Sequence, residues 1–179
     1  LSPRIIFKDF FMPMSKQRRF FLYKQVSHRL FYAVLLVGAV AALLVAWYLQ
    51  NVRDFAPCPL CIMQRVGFWV LAIFALIGLL KGSLGRVGNA LAVLAGSSGV
   101  AVAAYHNWIL AQPKVECGID PVQNFVNDLP MADLWPDMFM ATGMCGAKLP
   151  LILGISIPQW ALLGLAGLTL GFAWRLLRR

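Results

Sequence analysis

Residues 30–49 read LFYAVLLVGAVAALLVAWYL, twenty positions without a charge and with nothing more polar than Tyr32 and Tyr48. About 20 apolar residues is what an α-helix needs to cross the hydrocarbon of a bilayer. The run lacks the in–out alternation of a barrel strand, and only helices or closed barrels satisfy their backbones in lipid. Working outward, three more runs have this character. Residues 62–80 are apolar except for Gln64 and Arg65 near their start. Residues 87–109 are rich in Ala, Gly and Ser and include Gly96-Ser97-Ser98-Gly99, small residues that suit close helix contacts. The last run covers about 157–177.

The composition agrees with a lipid solvent. Hydrophobic residues make up 60% of the 179 and charged residues 13%, against a usual charged share of about 25%. Mean hydropathy is +0.74. These features predict an all-α membrane protein, a four-helix transmembrane bundle with a long loop between helices 3 and 4.

The net charge of +9 does not point to nucleic acid, because of where the basic residues lie. Arg4, Lys8, Lys16, Arg18, Arg19, Lys24 and Arg29 precede the first run, and Arg175, Arg178 and Arg179 close the chain. Basic residues at the ends of apolar runs set topology, because they resist translocation. With both termini in the cytoplasm, these ten join Lys81 and Arg86 on that side, against Arg53, Arg65, Lys114 and Lys148 on the other. Trp47, Tyr48, Trp69, Trp108, Trp160 and Trp174 sit near the ends of runs, as interface anchors do. The expected division is a basic cytoplasmic segment 1–29, one four-helix domain 30–177 and a cytoplasmic end 178–179. The chain opens on Leu1, and Met14 would serve as an alternative start, so residues 1–13 receive no role. A cleaved signal peptide is the weaker reading of the first run, which exceeds the usual ~7–15-residue core.

The second outer loop, 110–156, carries five prolines but also Phe125, Leu134, Trp135, Met138, Phe139 and Met140. That is too apolar for a free tail. It is expected to lie on the membrane surface, with a short amphipathic helix around 122–129. Trp135, Met138 and Phe139 are read as docking the loop onto lipid, rather than as seating a partner.

All four cysteines, Cys58, Cys61, Cys117 and Cys145, fall on the outer side in this topology, where disulfides persist. Four cysteines allow three pairings. If Cys58–Cys61 forms, Cys117–Cys145 is what remains. Purely structural disulfides are disfavoured, since a bridge across Cys58-Pro59-Leu60-Cys61 closes too small a loop to stabilise much. A zinc site is disfavoured by the 27 residues between Cys117 and Cys145. Haem attachment would need His where Ile62 stands. Redox chemistry fits best. Pro59 suits the first turn of a helix, which puts Cys58 near its N-cap, where free N–H groups and the dipole favour thiolate. Arg65, four residues after Cys61, shares that helix face and can stabilise a Cys61 thiolate or a polar oxygen beside it. Its other reading is a residue snorkelling at the membrane edge.

These residues resemble the DsbB family, the quinone-linked thiol oxidases of bacterial envelopes. The resemblance spans roughly residues 30–164. It rests on Pro57-Cys58-Pro59-Leu60-Cys61-Ile62 with Arg65 following, on Cys117, on Ala141-Thr142-Gly143-Met144-Cys145, and on Pro158-Gln159-Trp160. It implies a bacterial inner-membrane enzyme in which a Cys117–Cys145 disulfide is attacked by a reduced DsbA-like periplasmic thioredoxin-fold protein. Electrons then pass to Cys58–Cys61 and on to ubiquinone or menaquinone of the membrane pool, the general route by which the bacterial periplasm is kept oxidising. In the family the residue matching Cys61 faces the quinone, and the residue matching Cys58 exchanges with the loop pair. His106 matches a position implicated near the quinone, so Arg65 and His106 are the candidate cofactor-binding residues; no metal is expected. Gln64 stands where the family often has an acidic residue, and Pro59 where an aliphatic is commoner. The alternative is a non-catalytic membrane protein with structural disulfides or a zinc site. Reversed electron flow, as in vitamin K epoxide reductases, is disfavoured because their motif opens a later span.

Overall fold

Each apolar run forms a helix in the computed structural model, which describes residues 14–80, 83–112, 121–144 and 151–178. Helix α1 spans Met14–Asn51, α2 Pro59–Gly78 and α3 Ser83–Leu110. Three short helices follow among the described residues of the long loop, α4 Pro121–Asn127, α5 Pro130–Leu134 and α6 Pro136–Phe139. Helix α7, Ile157–Leu177, completes the fold. Four of these, α1 from His28 onward, α2, α3 and α7, are long and apolar enough to cross a membrane.

The long helices pack in a ring, α1 on α2, α2 on α3, α3 on α7, with α7 returning to α1. Tyr32, Leu43, Phe68, Leu71, Ala92, Leu165 and Phe172 fill the middle. The opposite faces carry exposed Val34, Val37, Leu44, Leu94 and Leu170. Water would make such faces a large exposed apolar surface; lipid makes them neutral. The chain is a multi-pass membrane protein.

Where lipid offers no hydrophobic drive between helices, close backbone approach takes its place. A Cβ on Gly96 would run into the hydroxyl of Thr169 on α7. Ser97 and Ser98 turn their hydroxyls onto Val93 O and Ala95 O of their own helix, each at 2.7 Å. Overpacking of a tight contact costs about 1–3 kcal/mol. Gly96→Leu is therefore expected to lower the thermal midpoint of the purified protein; an unchanged midpoint would mean that α3 and α7 are not in close contact there. Tyr32 OH donates to Asn89 Oδ1 at 2.9 Å, tying α1 to α3 inside the core.

Two expectations shift. Helix α1 begins well before the membrane run, because nothing in residues 14–29 breaks a helix. The short loop helix is Pro121–Asn127 rather than 122–129, and Pro130 and Pro136 each start a further one, as proline does at a first helical position.

Candidate active site

Pro59 starts α2. Its ring fixes φ, and the N–H it lacks is one that a helix start leaves unbonded. Cys58 becomes the N-cap, at φ −81° and ψ 165°. Its Sγ accepts the N–H of Cys61 at 3.3 Å, and Ile62 N–H closes the first turn on Cys58 O at 3.1 Å. This turn brings the two sulfurs to 2.8 Å. The two face different surroundings. Cys58 is buried and its Sγ lies 3.7 Å from Nε2 of His106 on α3. Cys61 is half-buried and opens onto a cavity.

That cavity, of about 350 Å³, lies between α1, α2 and α7. Its wall includes Leu49, Gln50, Cys61, Arg65, Pro158 and Trp160 and is largely apolar. The size falls within the roughly 300–1,000 Å³ of small-molecule sites.

Arg65 does not snorkel. It is 7% exposed and reaches across the bundle: Nη1 donates to Gln50 Oε1 at 2.6 Å and Met138 O at 3.2 Å, and Nη2 to Ala46 O at 3.3 Å. A buried charge is tolerated where it is hydrogen-bonded, and these three neutral acceptors take up part of the five donors a guanidinium carries. Arg65 thus ties α1, α2 and α6 together while lining the cavity beside Cys61.

The long loop is strapped to the same place. Asn127 Nδ2 donates to Ala141 O at 3.0 Å, and Ala141 N–H donates back to Asn127 Oδ1 at 2.8 Å. Thr142 and Gly143 N–H both donate to Pro57 O, at 3.0 and 2.9 Å. Gly143 has to be glycine for this approach, since a Cβ would collide with Ala56 O. Pro57 adjoins Cys58, and Gly143 stands two residues before Cys145. Cys117 and Cys145 themselves lie outside the described residues. Met138 and Phe139 are buried against Ile62, Val126 and Ala141, so they dock the loop onto α2 rather than onto lipid. Trp135, half-exposed, stands 6.2 Å from Trp69, ring centre to ring centre.

His106 is 1% exposed. It lies behind the thiol pair, with Nε2 facing Cys58 and Nδ1 3.0 Å from Nε2 of Gln64, which lines the cavity. Sequence reasoning missed Gln50, the Arg65 acceptor, and Asn127, the loop clamp. A lone polar side chain closing an apolar run was the one available signal for Gln50; Asn127 had none.

The family model described as "Disulfide bond formation protein DsbB" matches residues 28–175. The chain belongs to the DsbB family. It is 41% identical over 155 residues to "Disulfide bond formation protein B" of Cupriavidus necator, covering 87% of this chain and 96% of that one. To the Ralstonia nicotianae protein of the same name it is 39% identical, over 87% and 98% of the two. "Disulfide bond formation protein B 1" of Pseudomonas putida is 44% identical over 135 residues, 72% of this chain and 79% of that one. Membership in DsbB assigns the chain to disulfide bond formation, an oxidoreductase chemistry.

Proposed function

We propose that this DsbB-family chain is a dithiol:quinone oxidoreductase of the bacterial inner membrane that reoxidises a DsbA-like periplasmic thioredoxin-fold protein. The observation that carries the reading is Cys61 in the wall of an apolar cavity beside the buried cation Arg65. Those features fit a quinone: apolar walls for ring and tail, a thiol within reach, and N–H donors for a carbonyl oxygen. A bound quinone supplies an acceptor of two electrons and two protons. Residues 1–29 and 178–179 face the cytoplasm, 30–177 form the membrane domain, and the loop 110–156 lies on the periplasmic side.

The protein's residues divide the work. Two thiols of the partner exchange with Cys117–Cys145: the partner gains a disulfide, and Cys117 and Cys145 become thiols. These in turn reduce Cys58–Cys61, restoring their own bond. Cys58 and Cys61 then lose two electrons and two protons to the acceptor in the cavity and close their disulfide again. The strap of Thr142 and Gly143 on Pro57 keeps the chain just ahead of Cys145 beside Cys58. Arg65 holds positive charge at the cavity wall, and Gln50 and Met138 O hold Arg65.

The test mixes purified protein, quinone and a reduced thioredoxin-fold substrate without oxygen and follows quinone absorbance. One quinone reduced per dithiol oxidised is expected; no change in absorbance overturns the reading. In the same assay Arg65→Ala is expected to raise the Michaelis constant for quinone by about tenfold, the loss of one charge-assisted hydrogen bond. An unchanged constant would leave Arg65 as a structural tie alone.

One observation favours a second reading. Cys58, Cys61 and His106 offer three ligand atoms within 4.8 Å of one another, enough to grip a soft metal ion. Stoichiometric zinc on reduced cysteines in the isolated protein would replace the relay with a metal site.

A further inference from the structure

Two buried side chains beside the thiol pair have no task in the scheme above. Gln64, 4% exposed on α2, and His106, 1% exposed on α3, form a chain of contacts ending on Cys58. Gln64 Nε2 meets His106 Nδ1 at 3.0 Å, and His106 Nε2 meets Cys58 Sγ at 3.7 Å.

The chemistry of the first contact dictates the second. An amide nitrogen carries hydrogens and no available lone pair, so it can only donate. His106 Nδ1 therefore accepts, and the proton of the neutral ring sits on Nε2. That N–H faces the Cys58 sulfur. With the other tautomer the ring would present a lone pair there, which repels a thiolate.

We propose that Gln64 is a positioning residue that fixes the tautomer of His106, so that the ring donates an N–H to Cys58 and holds its sulfur as a thiolate ready for exchange. The inference rests on the reading of Cys58 as an exchanging thiol. It gives this chain's glutamine a consequence of its own. A carboxylate at position 64 could only accept, would draw the proton to Nδ1, and would take the donor from Nε2 unless the ring became cationic. The thiolate is the nucleophile in thiol exchange, and hydrogen bonds to ionised groups are about twice as strong as neutral ones. Control runs from Gln64 through His106 to Cys58.

Two measurements test it, and neither contains quinone or protein partner, so a failure of the quinone reading leaves both intact. The first is nitrogen-15 resonance of the ring nitrogens in the reduced full-length protein. The chain has two histidines, and His106→Asn removes one set of signals, which assigns the other to His28. Wild type is expected to show a protonated Nε2 and an unprotonated Nδ1 at His106. Gln64→Glu is expected to move the proton to Nδ1. The second is alkylation of Cys58 by iodoacetamide at pH 7, with Cys61, Cys117 and Cys145 replaced by Ser. Gln64→Leu and His106→Leu are each expected to slow it by about three- to tenfold, the loss of one hydrogen bond to a charged sulfur. Together they are expected to slow it no further, because one acts through the other. Protonated Nδ1 in wild type, an unchanged pattern in Gln64→Glu, or effects that multiply in the double variant would each overturn the proposal.

Discussion

A chain carrying Cys58→Ser is expected to lose turnover with a reduced protein partner by about 10⁴-fold or more, the scale on which removal of a reacting nucleophile acts. Cys58 is the buried member of the pair and adjoins Pro57, where the loop strap is fastened. In the proposed relay it is the sulfur through which the loop thiols reach the membrane pair. Cys61 is untouched by the substitution and still lines the cavity. Quinone binding, followed by titration of the ring absorbance, is expected to stay within about twofold of wild type, since no cavity contact changes. Turnover with the partner near the wild-type rate would remove Cys58 from the relay.

Gly143→Leu is expected to have the second largest effect, and a more selective one. Any Cβ at this position meets Ala56 O, so the backbone must move off Pro57 and give up the bonds from Thr142 and Gly143. Misplacing reacting groups by about 1 Å can cost about 10²-fold. Turnover with the protein partner is expected to fall by about that factor. Quinone reduction by a small dithiol, which can reach Cys58–Cys61 without the loop, is expected to persist. The measurement is the ratio of the two rates. Equal losses would mean that the strap supports the fold generally and does not align the two pairs.

The four spans were legible because lipid imposes one demand, an apolar stretch of sufficient length, and residues 30–49 meet it without tertiary help. Boundaries were less legible. Pro59 correctly placed the start of α2, with Cys58 at its N-cap, while α1 runs back to Met14, since a helix need not stop at a membrane edge. The Cys58–Cys61 turn was legible for a local reason: capping, proline and the two cysteines fall within four positions. Arg65 beside Cys61 was legible too, but its acceptors on Gln50 and Met138 are 15 and 73 positions away, and no pattern in the chain couples them. The same limit explains Met138 and Phe139. Their apolar character showed that they dock, whereas the surface they dock on, α2, is a tertiary fact. His106 could be placed at the depth of the cysteines; that it faces Cys58, with Gln64 at its other nitrogen, follows from how α2 and α3 pack.

The bond that the proposed relay requires between the two sulfur pairs can be trapped most directly in a chain carrying Cys61→Ser, which leaves Cys58 without its local partner. The variant is cleaved under non-reducing conditions and its fragments are weighed. A bridge from Cys58 to Cys117 or to Cys145 is the expected product. Cys58 unbridged to either, in protein whose Cys117–Cys145 bond has first been formed by a chemical oxidant, would contradict the transfer on which the proposed activity depends.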